Sequence, residues 1–359
     1  MKLREAKEAY TFDDFMLVPQ YSEVPSRKAP DVSTKIGNLQ LKSPIISAPM
    51  NTVTEYKMLR AMESVGGVGV LHRYMTISNQ VAHVLEANVN NYFVAIGAVG
   101  DYLERAQKLH DGTGAINFCI DVANGHSKLC IEAVVALKQK IANANVMAGN
   151  VCSYQGALML ADVGTDIIRC GVGGGSVCKT RIVTGHGVPQ LTALEECVRI
   201  REIGFDEVSF VADGGIRNSG DIVKALAVGC DAVMIGGLLA GTDETPGDVI
   251  NGRFVIENYT GKAHWTPNYK KYAGMASEEG RKFNGWFTED DSSFVPEGEA
   301  TEIPCKGPAQ KILDNLVGGL KVGMSYSGAM SIKELQENAE WRKVTNAGYH
   351  EGTPHGVKR

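Results

Sequence analysis

The chain has 359 residues, 44% of them hydrophobic and 21% charged, with a formal net charge of -5. That balance suits a sizeable apolar core in a globular protein and argues against nucleic acid or an anionic membrane as the main partner. The opening MKLREAKEAY has no apolar signal core, and the longest nearly apolar window, residues 232–241, is too short to span a bilayer, so a cytoplasmic location is expected.

In chain order, short β-branched runs at 44–48, 67–71, 92–97, 115–121, 145–149, 166–170, 207–212 and 231–235 predict eight strands. Amphipathic stretches such as YLERAQKLHD and SGDIVKALAVG fall between them. Near-continuous apolar strands alternating with helices mark a parallel sheet covered on its outer face, and eight such units predict a closed (β/α)8 TIM barrel. An open doubly wound sheet is the alternative, but the G-x-G-x-x-G turn of a dinucleotide-binding first unit is missing after the early strands. The expected organisation is one catalytic domain over 1–359. Within it, 248–305 is polar, turn-rich and irregular, and its aromatic residues (Trp265, Trp286, Phe294) suggest a partly mobile flap over the barrel mouth. Helical patterning resumes in AQKILDNLVGGL and IKELQENAEW, before a loose HEGTPHGVKR.

Polar or glycine residues stand at the carboxyl end of nearly every predicted strand: Met50-Asn51, His72-Arg73, Asp121, Asn150, residues 171–178, Asp213-Gly214-Gly215 and Gly236-Gly237. In a barrel these converge on the face where active sites are built, and the glycine turns after the last two strands match the usual barrel phosphate site. The eight cysteines form no C-x-x-C pair, and most lie in apolar runs such as NFCID and IIRCG, which suits buried free thiols in a reducing compartment. His126, His186 and His264 have no metal-ligand spacing.

Gly171-Val172-Gly173-Gly174-Gly175-Ser176-Val177-Cys178-Lys179-Thr180-Arg181 stands out. Glycines allow close backbone approach and turn N–H groups toward an anion, and a cysteine just past such a loop is placed to act as a nucleophile. A glycine-rich surface turn ending in an inert, buried cysteine is the plainer alternative.

Over essentially its whole length the chain resembles the inosine monophosphate dehydrogenase / guanosine monophosphate reductase family. The resemblance runs in order through YTFDDFMLVPQYSEVPSR, SAPMNTVTE, DVANGHS, MAGNV, GVGGGSVCKTR, VTGHGVPQL, ADGGIRNSGDIVKAL, MIGGLLAGTDE, YAGMAS and VPEGEATEIPCKG. It implies covalent chemistry at purine C2 through Cys178. Ser176, Gly214, Gly215, Gly236 and Gly237 would hold the nucleotide phosphate, with Tyr272 closing over it. Asp213 would accept from the ribose hydroxyls, Met275 and Ala276 would offer backbone contacts to the base, and Met50 and Gly274 would belong to the same substrate-binding set. Asp121, Asn124, Asn150 and Arg169 would line the nicotinamide side. Strand-end hydrogen bonding is the plainer reading of Asp121, Asn124 and Asn150.

Within the family, several features lean toward the reductase: GMP to IMP and ammonia, with NADPH. The regulatory CBS modules usual after the second strand have no room in HRYMTISNQVAHVLEANVNNYFVAIGAVG. Where dehydrogenases carry an Arg-Tyr pair that activates water, this chain has Gly285-Trp286. Thr180 and Glu297 fit the pair that delivers a proton to departing ammonia, although a helix cap and a solvated turn are their plainer readings. An IMP dehydrogenase without CBS modules, converting IMP to XMP with NAD, is the rival, because ADGGIRNSGDIVKAL, VPEGEATEIPCKG and the tail lean that way. A purine-nucleotide-binding pseudoenzyme is the third reading. Asn51 stands where the family usually has aspartate, Arg73 where many reductases have lysine, and Gly237 where dehydrogenases have serine. The resemblance further implies a homotetramer and a potassium site, with carbonyls of Gly173, Gly175 and Cys178 joined by Glu351, Gly352 and Thr353 of a neighbouring subunit. An ordinary flexible tail is the alternative for that last segment.

Overall fold

Eight parallel strands close on themselves in chain order in the computed structural model, which describes residues 3–256, 263–282 and 295–354. They are β1 (Ile45–Ser47), β2 (Val68–Leu71), β3 (Tyr92–Ile96), β4 (Asn117–Asp121), β5 (Asn145–Val151), β6 (Ile167–Cys170), β7 (Ser209–Asp213) and β8 (Ala232–Ile235). β8 pairs back onto β1 through Val233↔Ile45 and Ile235↔Ser47. Helices alternate with them: α1 (Tyr56–Ser64), α2 (Ile77–Ala87), α3 (Tyr102–Thr113), α4 (Lys128–Lys140), α5 (Tyr154–Asp162), α6 (Thr180–Thr184), α7 (Gln190–Val198) and α8 (Ser219–Ala227). The fold is the expected (β/α)8 TIM barrel, and all eight predicted strands are present. The chain runs from β2 through α2 to β3 with no module inserted between them.

Local chemistry sets the helix starts. Thr76, Ser127, Ser153 and Asn218 each accept a backbone N–H in the first turn of α2, α4, α5 and α8, satisfying donors that a helix leaves open. The apolar residues then divide into two layers. Ile46, Val68, Val70, Phe93, Ala95, Met147, Ile167, Val211 and Met234 fill the barrel interior. A larger set, including Leu59, Ile96, Phe118, Leu137, Ile168, Phe210 and Leu226, packs between strands and helices. Each such fully buried side chain contributes roughly 1.5–3 kcal/mol, so the strand positions are fixed mainly by burial.

The amino end of the barrel is closed by the hairpin Thr34–Ile36/Leu39–Leu41. Its turn docks on polar barrel residues: Gly37 N–H donates to Ser209 Oγ at 3.0 Å, and Asn38 N–H donates to Asn145 Oδ1 at 3.3 Å. Gly37 has φ +53°, and a β-carbon there would overlap the Asn145 amide, so only glycine fits the plug.

The region 248–305 is more ordered in its described part than its composition suggested. Phe254–Ile256 pairs with Ala263–Trp265, and Tyr269–Ala273 pairs antiparallel with Ala300–Pro304. The second pairing was missed because charged residues interrupt its pattern. Lys270 is nevertheless buried, its ammonium donating to the carbonyls of Thr242 at 3.0 Å and Thr245 at 2.7 Å. A short helix, α9 (Glu278–Lys282), follows the first strand of that pair. The Gly285-Trp286 positions lie outside the described residues.

Three helices complete the chain: α10 (Ala309–Tyr326) packs on α8, then α11 (Ile332–Asn338) and α12 (Asn346–Glu351). Trp341–Lys343 pairs with Phe15–Leu17, so the two terminal regions are joined. Among the described residues, no helix is long and apolar enough to cross a membrane.

Candidate active site

The carboxyl ends of the strands surround a cavity of about 510 Å³. Its walls include Met50, Asp121, Asn150, Arg169, Cys178, Thr180, Asp213, Gly214, Gly274, Met275, Ala276 and Glu297, drawn from distant parts of the sequence. Most of the residues singled out from the sequence therefore meet in one place.

The cysteine loop begins where β6 ends. Gly171 has φ +131°, and a β-carbon there would overlap Asp213 O, so the chain leaves the strand through a position that requires glycine. Cys178 N–H donates to Gly175 O at 3.1 Å, closing the turn. The loop is then clamped from the other side. Lys179 N–H donates to Glu297 O at 2.7 Å, Glu299 N–H donates to Val177 O at 2.8 Å, and Cys178 faces Gly298 as an antiparallel bridge. The Lys179 ammonium also pairs with Glu299 at 2.6 Å. Gly298 and Gly274 meet closely at this seam, where a β-carbon on Gly298 would lie 3.3 Å from Gly274 Cα.

Cys178 Sγ lies 3.2 Å from Thr180 Oγ1. Thr180 opens α6 but does not cap it. The cap position belongs to Lys179, whose side chain makes no capping bond, so the threonine hydroxyl is turned to the thiol. Glu297 is half-buried in the cavity wall, its backbone N–H held by Ala276 O at 3.0 Å. Of the eight free thiols, Cys119, Cys130, Cys170, Cys197 and Cys230 are buried, and burial pushes the Cys119 thiol up to about 12. Cys178 is partly open and lines the cavity, which separates it from the inert set.

On one side lies a glycine-lined recess. Ser176 Oγ and Tyr272 OH are 3.1 Å apart, and burial pushes the Tyr272 phenol above its ordinary value, against the opposing hydrogen bond from Ser176. Gly237 abuts this pair: a β-carbon there would lie 2.7 Å from Ser176 Oγ and 3.4 Å from Tyr272 OH. Gly236 packs against Met50 Sδ, and Gly214 against Gly174 and Gly175, so backbone amides replace side chains throughout the recess. Gly215 lies beside Gln190 and Phe12.

The opposite wall is charged. The buried Arg169 guanidinium donates to Asp121 Oδ1 and to Asp213 Oδ2, each at 2.8 Å. Asn150 Nδ2 also donates to Asp213 Oδ2 at 2.8 Å. Arg169 Nε is buried without a partner among the described residues. Arg73, which the sequence marked as a strand-end residue and a departure from the family pattern, completes this wall at 4.0 Å from Asp121. It sits 4.8 Å over the ring of Tyr74, whose phenol burial pushes up to about 12. Tyr74 was not foreseen; its place just past the second strand end was the available signal. His72 turns away, its Nδ1 accepting Tyr74 N–H at 3.1 Å and its Nε2 facing Glu55 at 3.4 Å.

Asn124 makes a local contact. It is exposed outside the cavity wall, and its carboxamide oxygen accepts His126 N–H at 3.1 Å in a local turn. The expected cation ligands are divided. Gly173, Gly175 and Cys178 share the loop, but Glu351 ends α12 and Gly352 and Thr353 follow it, where Gly352 lies near Met16. No cluster of three or more His, Cys, Asp or Glu able to hold a metal occurs among the described residues.

The profile of the IMP dehydrogenase / GMP reductase domain matches residues 9–355. The chain belongs to the IMP dehydrogenase / GMP reductase family. It is 31% identical to an inosine-5'-monophosphate dehydrogenase of Nitrosopumilus maritimus, over 98% of this chain and 99% of that protein. It is 35% identical to the corresponding enzyme of Cryptosporidium parvum, over 100% and 98%. It is also 31% identical to a GMP reductase of Leishmania major, over 98% of each. Among solved structures, a cysteine-to-alanine variant of Trypanosoma brucei GMP reductase in complex with guanosine 5'-monophosphate superposes with a TM-score of 0.87 at 29% identity, covering 99% of both chains. The Nitrosopumilus alignment runs over 490 positions against 359 residues here, so that relative carries stretches with no counterpart in this chain. IMP dehydrogenase / GMP reductase family members are oxidoreductases that work with a nicotinamide cofactor. The charged wall fits such a group: Arg169 Nε is an orphaned buried donor, and Asp121 offers carboxylate oxygens to hydroxyls.

Proposed function

We propose that the protein is a GMP reductase that converts GMP to IMP and ammonia with NADPH through a covalent adduct on Cys178. The observation that carries this reading is the 3.2 Å approach of the Cys178 thiol to the Thr180 hydroxyl, in a cavity that Glu297 also lines. Ser176, Tyr272 and the amides of Gly215, Gly236 and Gly237 hold the phosphate, and Asp213 takes the ribose hydroxyls on the oxygen that Arg169 and Asn150 leave open. Met50, Gly274, Met275 and Ala276 flank the base.

The Cys178 thiolate attacks C2, forming a C–S bond. The C2–amino bond breaks, and ammonia departs with a proton relayed through Thr180 and backed by Glu297. NADPH, which Asp121, Asn150 and Arg169 would hold, would supply the hydride for C2. The C–S bond breaks, and its electron pair returns to sulfur as the thiolate. Asp121, Asn150 and Arg169 orient the nicotinamide side and keep water from the adduct. A homotetramer is part of this reading. In it a monovalent cation such as potassium is held by carbonyls of Gly173, Gly175 and Cys178 with Glu351, Gly352 and Thr353 of a second copy, donors suited to a hard, weakly bound ion.

The second reading, an IMP dehydrogenase, is favoured by the dehydrogenase names of several curated relatives. One assay separates the two. Oxidation of NADPH by GMP with ammonia release supports the reductase, whereas reduction of NAD by IMP with XMP formation overturns it. Nucleotide binding with neither reaction identifies a pseudoenzyme.

A further inference from the structure

Gln190 opens α7, buried to 4% exposure beneath the cysteine loop. Its Nε2 donates to two carbonyls at once, Cys170 O at 3.0 Å and Asp213 O at 3.1 Å. It thus ties the end of β6, where the cysteine loop starts, to the end of β7, where the Asp213-Gly214-Gly215 turn starts. Rotating the amide by half a turn would set its oxygen against those two carbonyl oxygens, so its orientation is fixed. The other end, Oε1, is buried and has no partner among the described residues. It lies under the glycine run: a β-carbon on Gly174 would sit 3.2 Å from Oε1, and one on Gly171 2.6 Å from it. A buried amide oxygen left open in a site otherwise built from backbone amides is an acceptor awaiting a donor, since such a group left unmade is costly. The chain directly above it is that of Gly174.

We infer that Gln190 is a positioning residue for the reacting thiol: when nucleotide fills the recess, Oε1 accepts a backbone N–H of Gly174 or Gly175 and locks the loop that presents Cys178. The inference rests on the nucleotide reading of the pocket but not on the direction of the reaction. Glycine at 171 and 174 leaves the space this requires, and the forked donor bond holds Oε1 in place before nucleotide arrives.

The test uses full-length enzyme and hydrogen–deuterium exchange of the 171–178 segment, with and without GMP and, separately, IMP. In the wild type, nucleotide should slow exchange at Gly174 or Gly175 by about tenfold or more. Gln190→Met, of similar shape without hydrogen-bonding atoms, should lose that protection while KM for nucleotide stays within about threefold and kcat falls by roughly tenfold to a hundredfold. Gln190→Glu, isosteric and protonated when buried, retains an acceptor over the loop and should keep the protection. Equal protection in Gln190→Met and wild type overturns the inference, as does wild-type protection by neither nucleotide. A fall in thermal stability with KM and kcat lost together also overturns it, by assigning Gln190 a structural role only. NADPH turnover is scored separately, so a failed reductase assay leaves the exchange result readable.

Discussion

Four aspartates at the two ends of the barrel do different work with the same side chain. At the amino end, Asp166 accepts Val146 N–H and the Lys138 ammonium, both at 2.6 Å. Asp231 likewise accepts Phe210 N–H and the Arg201 guanidinium, both at 2.6 Å. Each of these carboxylates ties a neighbouring strand to a cation of its own. At the carboxyl end, Asp121 and Asp213 share one guanidinium, that of Arg169, and their bonds come from side chains that line the cavity. The lesson is that a charge which closes the backbone of an adjacent strand is part of the scaffold. Charges held by one another on side chains that line the cavity are available to a ligand.

The sharpest way to break this contrast is the thiol. Cys178→Ala should lower turnover by on the order of 10³-fold or more while nucleotide binding, measured by calorimetry, and melting temperature stay close to wild type. Residual turnover near the wild-type rate would sink the covalent mechanism.

The aspartates themselves come next. Asp213→Asn should lower kcat/KM by roughly 10²-fold with a small change in melting temperature, because Arg169 retains Asp121. Asp231→Asn should do the reverse. It leaves Arg201 with a weakened half-buried partner, costs about 1–3 kcal/mol in chemical denaturation, and spares kcat. If both variants lose stability alike, the distinction between the two ends collapses.

Thr180→Val removes the hydroxyl beside the thiol at nearly constant volume. A roughly 10- to 100-fold fall in the ammonia-releasing step, followed by single-turnover absorbance, is expected with nucleotide binding unchanged. A wild-type rate would take Thr180 out of the proton relay.

The smallest effect sharpens the comparison from within the carboxyl end. Burial holds His72 below its ordinary value of 6.5, with Glu55 opposing. The unfolded chain therefore takes up a proton near that pH while the folded chain resists it. Stability from this residue is full above about pH 6.5 and falls as pH drops toward the lower folded value. Melting temperature measured from about pH 7.5 to 5.5 should decline less steeply in His72→Gln than in wild type. Parallel curves would show that His72 does not titrate on unfolding.

Much of this was legible in the chain. β-branched runs located all eight strands because burial on both faces leaves a contiguous apolar signature, as in Val68–Leu71 and Ile167–Cys170. Strand ends were less clear: the fifth strand runs on to Val151, past polar Asn150, because Val151 still pairs with Cys170. The glycine–cysteine loop announced itself because glycines and a lone polar-flanked cysteine are unusual together. The pairing of Tyr269–Ala273 with Ala300–Pro304 was hidden, since Lys270 looks like a solvent residue until its carbonyl partners are known. Asn124 is exposed, its carboxamide oxygen accepting His126 N–H in a local turn that the strand-end pattern does not show.

The sequence by itself determined the barrel and singled out the glycine-flanked Cys178, because burial patterns and glycine requirements are local properties of the chain, and its family resemblance carried the class of chemistry. Only the tertiary structure decided which polar residues act together. That Arg169 joins Asp121 to Asp213, that Thr180 turns to the thiol, and that Gln190 leaves an oxygen open beneath Gly174 depends on distances between separate strand ends, and barrel closure is what brings those ends together.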